Sequence, residues 1–311
     1  MDNYIIDLYG KDIDSIHLKN DADRFVIEND TGRGIITNYH ICDGLDITFN
    51  NIQMDYYEGN FEFKADIIEI NHCKDGRCEY EIDSNTVAFV SRGDLSISNT
   101  IDNTGISYFP TKLYRGISLY IDIEKIQNSR LIKEFDINLS KIASLAKGGN
   151  VKIFRSNERL EHIFYEFYNA QKYFLKEYLK VKSIELLLFV SNIDWNNEIK
   201  NTSFLNKKQL YKIKKVRNFI LKNLENHYTI EQLSKKFDIS ESSLKNQFKK
   251  LYGESIYSYT KKLRLEKSKT LLLEGKMSIA QIALESGYEN PAKFSSAFKK
   301  EFGVIPSKFQ I

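Results

Sequence analysis

The sequence has no long apolar run. Nowhere do about 18 consecutive residues stay apolar, so no membrane-crossing helix and no membrane partner are expected. Its first residues, MDNYIIDLYGKD, lack the basic segment followed by an apolar one that marks a secretory signal. Cysteine is scarce and odd in number (Cys42, Cys73 and Cys78), which speaks against a disulfide framework and suits a reducing cytoplasm. Only three prolines occur, and the heavy use of Asn, Lys, Ile and Tyr has the look of AT-rich coding. Histidines are few and isolated: His17, His40, His72, His162 and His227 form no H-x-H pair.

What is present is enough for two domains. The chain has 311 residues, 42% of them hydrophobic, so there is material for real cores. The net charge of +3 conceals a strong asymmetry. Residues 205–311 carry 22 Lys+Arg against 10 Asp+Glu, a net +12, and the rest carries 23 against 32, a net −9. A basic C-terminal domain on an acidic N-terminal one points to nucleic acid as the partner of the former.

Between about Arg33 and Ile123, short runs such as GIITNYHIC, LDITFNNIQM, FEFKADIIEINHC, EYEIDS, TVAFVS and DLSIS alternate apolar and polar residues, with Gly, Asn or Asp between them. They predict antiparallel strands in a barrel or sandwich. KLYRGISLYID, from Lys112, reads as a further strand, and Glu124 to Ala146 as one or two short helices. Ser156 offers an N-cap to a helix with Leu160, Ile163, Phe164, Phe167 and Tyr168 on one face, and a second helix runs from about Gln171 to Asn192. Two such helices predict an antiparallel hairpin, either a layer packed on the strands or a dimerisation surface. Asp194 to Phe204 is polar and reads as a linker.

The last third is organised by a repeat. TIEQLSKKFDISESSLKNQFKKLYG (Thr229–Gly253) is echoed by SIAQIALESGYENPAKFSSAFKKEFG (Ser278–Gly303). A helix over Lys207–Asn223 leads in. Thr229 and Gln232 then have capping-box spacing, Asp238-Ile239 makes a turn, and Ser240 caps a helix that stops at Gly253. Short helix, tight turn and second helix is helix-turn-helix spacing. Ser255 to Leu273 is an uninterrupted helix of 19 residues, about 28 Å long at 1.5 Å per residue. That is close to the roughly 34 Å between major-groove faces on one side of B-DNA. In the second copy Ser278 caps, Gly287 turns, and Asn290 caps a helix with Pro291 in its first turn. Leu244, Phe248 and Leu251, and likewise Phe294, Phe298 and Phe302, predict the buried faces of the two second helices. The residues left outward are short or polar and can enter a major groove.

TIEQLSKKFDIS and SSLKNQFKKLYG, then SIAQIALESGYEN and KFSSAFKKEFGVIPSKF, closely resemble the DNA-binding domain of the AraC/XylS family of bacterial transcription regulators. The signature stretch runs from Ile279 through Gly287-Tyr288, Phe294, Phe298-Lys299 and Phe302-Gly303 to Pro306. The resemblance covers about a third of the chain. It implies an α+β protein with a cupin-like N-terminal β-barrel and helical hairpin, followed by an all-α double helix-turn-helix domain. The expected division is a β-rich sensor over residues 1–123, a dimerising hairpin over 124–195, a linker over 196–206 and the DNA-binding domain over 207–311. It further implies base reading by Ser242, Lys245 and Asn246 in the first unit and by Ala292, Lys293 and Ser296 in the second. The family often has Arg at the position of Asn246 or Ser296, and its absence here weakens guanine readout. Phosphate contacts are assigned to Lys249, Lys250, Arg264, Lys299 and Lys300.

The resulting expectation is a cytoplasmic bacterial regulator that binds double-stranded promoter DNA, answers to a small-molecule effector, forms a homodimer and, as an activator, meets RNA polymerase. No enzyme activity and no cofactor are expected. Arg33, Tyr39, Arg77 and Tyr80 are candidate effector-lining residues. HCKDGRC, with His72, Cys73 and Cys78, is a dense group of soft ligands and keeps open a metal- or thiol-redox-responsive regulator. An alkyl-transfer DNA repair enzyme is a further alternative, because this DNA-binding domain also occurs beside such domains. It would need four zinc-binding cysteines or a Pro-Cys-His segment, and neither is in the sequence.

Overall fold

The computed structural model describes residues 14–18, 22–59, 67–81, 84–99, 106–147, 151–170, 175–193, 195 and 204–309. The chain divides into two compact units, residues 1–205 and 206–311.

The first unit is a curled antiparallel sheet with helices on one face. Its strands are β1 (Asp14–Leu18), β2 (Ala22–Asn29), β3 (Gly32–Cys42), β4 (Leu45–Gln53), β5 (Tyr56–Glu58), β6 (Ile67–Glu81), β7 (Thr86–Ser91), β8 (Asp94–Asn99), β9 (Ile106–Tyr108) and β10 (Tyr114–Asp122). The order across the sheet is β1-β2-β3-β4-β10-β6-β7, with β8 also on β6 and β9 joining β5 to β6. Strand β6 makes the curl. Its first half pairs with β8 and its second half with β7. HCKDGRC is therefore a bend inside one 15-residue strand, where the sequence reading places two separate strands. The bend needs Gly76: its φ is +82°, and a Cβ there would lie 1.8 Å from Leu113 O.

Helices α1 (Ile123–Ile126), α2 (Arg130–Glu134) and α3 (Leu139–Ala146) follow. They are three short turns where one or two helices are expected. A short strand missed by the sequence reading, β11 (Lys152–Arg155), pairs with β8. Helices α4 (Glu158–Tyr168) and α5 (Leu175–Asn192) form the hairpin. Asn157, not Ser156, caps α4, its side chain accepting from Leu160 N at 3.0 Å. Ile163, Phe164, Phe167, Leu179, Leu186 and Leu187 pack on Ile47, Ile70, Ile97, Leu119 and Ile121 of the sheet, so the hairpin is a layer over the strands. The expected linker lies largely outside the described residues.

The second unit is all helical: α6 (Lys207–Lys222), α7 (Ile230–Phe237), α8 (Glu241–Tyr252), α9 (Ile256–Glu274), α10 (Ile279–Glu285) and α11 (Pro291–Phe302). Local chemistry sets every boundary. Thr229 with Gln232, and Ser278 with Gln281, form complete capping boxes. Asn290 accepts from Ala292 N and Lys293 N ahead of the Pro291 start. Asp238, Gly253, Gly275, Gly287 and Gly303 take the left-handed conformation at the turns.

Candidate nucleic-acid interface

Each helix-turn-helix unit places its second helix by burying one face of it. Leu244, Phe248 and Leu251 of α8 and Phe294 and Phe298 of α11 are fully buried; Phe302 is only half-buried. Because 3.6 residues make a turn, the opposite stripe of each helix is thereby turned to solvent. Ser242, Lys245, Asn246 and Lys249 are exposed on α8, and Ala292, Lys293, Ser296, Lys299 and Lys300 on α11. Lys245 Nζ lies 3.5 Å from Glu241 on the same helix. The turn between α7 and α8 is braced by Lys212 of α6, whose ammonium donates to the Asp238 carbonyl at 2.5 Å and its carboxylate at 3.0 Å.

Two of the expected phosphate residues stand differently. Lys250 is half-buried, and burial lowers the pKa of its ammonium. Arg264 is only 7% exposed. Its guanidinium donates to Leu224 O at 2.7 Å, to Asn226 O at 2.9 Å and to the His227 ring at 3.2 Å. A planar fork of donors aimed at backbone carbonyls from the end of α6 is an internal fastening, so Arg264 is not the phosphate contact the sequence suggests. Beside it, within residues 206–311, lies a cleft of about 720 Å³ lined by Thr229, Ile230, Tyr257, Lys261, Tyr288 and Lys293 among others.

In the first unit the expected effector residues scatter. Arg33 is exposed and 4.0 Å from Glu28. Tyr39 packs edge-on against Phe49, in the layer facing the helices. Arg77 is half-buried, its pKa lowered by burial and raised in part by Asp94. Only Tyr80 lines the cavity inside the curl, which has a volume of about 60 Å³. The residues that the sequence reading missed come from the strand faces turned inward. Asn38, Thr48, Ser118, Asn71 and Ser96 stand in one register across β3, β4, β10, β6 and β8, and all five are buried. Asn71 donates to Ser96 Oγ at 3.1 Å and accepts from Ser118 Oγ at 3.3 Å, and Asn50 donates to Ser118 Oγ at 3.2 Å. The one signal for this in the sequence is polar residues at every second position of strands otherwise apolar, as in IIEINHC.

The soft-ligand group does not assemble. His72 and Cys73 are adjacent on β6 and so face opposite ways. His72 stacks on Phe164, whereas Cys73 and Cys78 sit in the other core with Phe25, Ile36 and Ala88. Burial pushes both thiols far above their usual pKa, the reverse of a reactive cysteine. Among the described residues no group of three or more His, Cys, Asp or Glu is placed to hold a metal.

With this geometry in view, residues 233–310 match the family described as "Helix-turn-helix domain". The Msm operon regulatory protein of Streptococcus mutans serotype c is 38% identical over 81 residues, 26% of this chain and 29% of its own. The lactose operon transcription activator of Staphylococcus xylosus is 33% identical over 92 residues, 30% of this chain and 33% of its own. Among solved structures, the C-terminal domain of AraT, a response regulator from Geobacillus stearothermophilus, is 31% identical over 32% of this chain and 83% of that one, with a TM-score of 0.31. The C-terminal unit is thus a helix-turn-helix DNA-binding domain. Over the matched residues it is similar to the DNA-binding domains of AraC/XylS-family regulators. The chain spans about a third of the length of the curated relatives it matches.

Proposed function

We propose that the chain is a sequence-specific DNA-binding transcription regulator, in which α8 and α11 enter successive major grooves of promoter DNA. The observation that carries this is the pair of solvent-facing stripes on the second helices of two capped helix-turn-helix units, within a segment of net charge +12. Ser242, Lys245 and Asn246, with Ala292, Lys293 and Ser296, read bases. Lys249, Lys299 and Lys300, with a lesser share from Lys250, hold phosphates. The strand-rich residues 1–123 receive a small-molecule signal, the hairpin region 124–195 supports a homodimer, and 196–206 link the two functions. Activation through RNA polymerase is the preferred mode, since one relative's name is that of a transcription activator.

The test is a binding isotherm of the full chain on DNA from upstream of its own gene. Log affinity should fall linearly with log salt, by about 0.9 per phosphate neutralised, and should exceed that for unrelated DNA. Salt-independent binding, or equal affinity for both DNAs, would overturn the reading.

A further inference from the structure

The cavity inside the curled sheet has a chemistry that selects its ligand. Its wall joins the side chains of Asn50, Tyr57, Glu69, Tyr80, Tyr114 and Tyr120. Glu69 Oε1 accepts from Tyr120 Oη at 3.1 Å, and among the described residues Glu69 forms no ion pair. Its carboxyl is held above the usual range by burial, as expected of a carboxylate enclosed without a cation. Asn50 is 7% exposed, and its Oδ1 has no hydrogen-bond partner although its Nδ2 is bound to Ser118. Asn71 Oδ1 already accepts from Tyr114 and Ser118. The cavity therefore presents a half-buried carboxylate and an unpaired amide oxygen. Among the described residues no Lys, Arg or His lines it, and the side walls are phenol rings. A buried acceptor left unpaired is costly, so Asn50 Oδ1 calls for a ligand that carries a donor. An uncompensated carboxylate calls for positive charge, and ring faces attract cations. A volume of about 60 Å³ has room for a few waters, or for one ammonium group with a short alkyl stem.

We propose that this cavity recognises the ammonium group of a small amine, with Glu69 as its counter-ion, Asn50 Oδ1 as a second acceptor and Tyr57, Tyr80, Tyr114 and Tyr120 as an aromatic surround. The proposal rests on the reading of the N-terminal domain as the receiver of a small-molecule signal, and gives that signal a chemical class. A neutral polyol would satisfy Asn50 but leave Glu69 without a counter-charge. A hard metal ion would find one carboxylate where it needs several oxygens.

The experiment is a calorimetric titration of the full chain with ethylammonium chloride and with ethanolamine hydrochloride, against sodium chloride, ethanol and ethylene glycol at matched concentration. Saturable binding of both amines and of none of the controls is expected. Glu69→Gln should weaken it at least tenfold, and Tyr80→Leu severalfold, in variants whose far-ultraviolet circular dichroism matches the parent. Two variants are used so that loss of fold in one leaves the other informative. Equal binding of ethanol and ethylammonium, undiminished binding in Glu69→Gln, or no saturable amine binding would each overturn the proposal. Affinity for the upstream DNA is measured on the same samples. Intact, salt-sensitive DNA binding without amine binding removes the amine site and leaves the regulator standing. Glu69-dependent amine binding that leaves DNA affinity unchanged supports the site and removes its role as the signal.

Discussion

His227 Nε2 lies 2.8 Å from the carbonyl oxygen of Gly287. His227 precedes the first helix-turn-helix unit, and Gly287 is the turn of the second. The ring thus donates across the cleft while Arg264, from the spacer helix α9, donates to its other side at 3.2 Å. The angle between the two reading helices is held by this three-way fastening as well as by the stiffness of α9. Arg264→Ala leaves two backbone carbonyls without their charged donor. It should destabilise the C-terminal domain by about 3 kcal/mol in chemical denaturation. Arg264→Lys keeps the charge but not the fork. It should fold, and should lose discrimination between operators whose half-site spacing differs by one base pair. Undiminished spacing selectivity in the Lys variant would reduce Arg264 to a stabilising role only.

Gly287 and Gly303 separate two reasons for a glycine. Both have positive φ, +75° and +78°. A Cβ on Gly287 would lie 2.8 Å from Arg264 Nε and 2.9 Å from Leu224 O, whereas nothing lies within 4 Å of one on Gly303. Gly303→Ala should cost only the left-handed backbone penalty, about 1 kcal/mol. Gly287→Ala should cost more, about 2–3 kcal/mol, and should weaken DNA binding because the shift falls on the fastening. Equal denaturation midpoints for the two variants would contradict this account.

Base and phosphate contacts predict different signatures. Asn246→Ala should reduce discrimination at one base pair by about 1–3 kcal/mol, with little change on unrelated DNA. Lys299→Ala should weaken binding to all sequences alike and lower the salt slope by about 0.9. Lys249→Ala should behave like Lys299→Ala, and Lys250→Ala less so, because Lys250 is half-buried. A competition assay over single-base operator variants distinguishes these outcomes. Uniform loss in Asn246→Ala would remove it from the base readers.

These predictions differ in how far the sequence alone could have reached them. Thr229 with Gln232, Ser240, Gly253 and Asn290-Pro291 act within one helical turn, so their spacing carries the fold of the second unit directly. Arg264 reads as one more basic residue on a helix. What buries it is a pair of carbonyls 38 and 40 residues away, and no local pattern encodes them. The inner face of the sheet was still less legible. Asn38, Thr48, Ser118, Asn71 and Ser96 look like the ordinary polar half of five alternating strands. Only the pairing register sets them side by side. The resemblance of the C-terminal domain could not supply that register, since it covers only residues that follow the sheet.

The His72 ring stacks on Phe164 with centroids 4.1 Å apart. Its Nδ1 donates to Tyr168 Oη at 3.1 Å, and the Tyr168 hydroxyl donates back to His72 O at 3.2 Å. The histidine is 3% exposed, and its Nε2 has no hydrogen-bond partner among the described residues. Burial, aided by the charge of Arg155, lowers its pKa from 6.5 to about 3. An unfolded chain takes up this proton below pH 6.5, and the folded one does so only near pH 3. Between those limits the unfolded state binds more protons, so stability falls as pH falls, by up to about 1.4 kcal/mol per pH unit. His40 acts in the opposite sense, since Asp46 raises its pKa, but it is exposed and its share is small. His72→Phe keeps the stack and removes the proton acceptor. Urea midpoints of the N-terminal transition at pH 7.5, 6 and 5 should decline in the parent and stay nearly level in the variant. The same decline in both would place the acid sensitivity in the carboxylates instead.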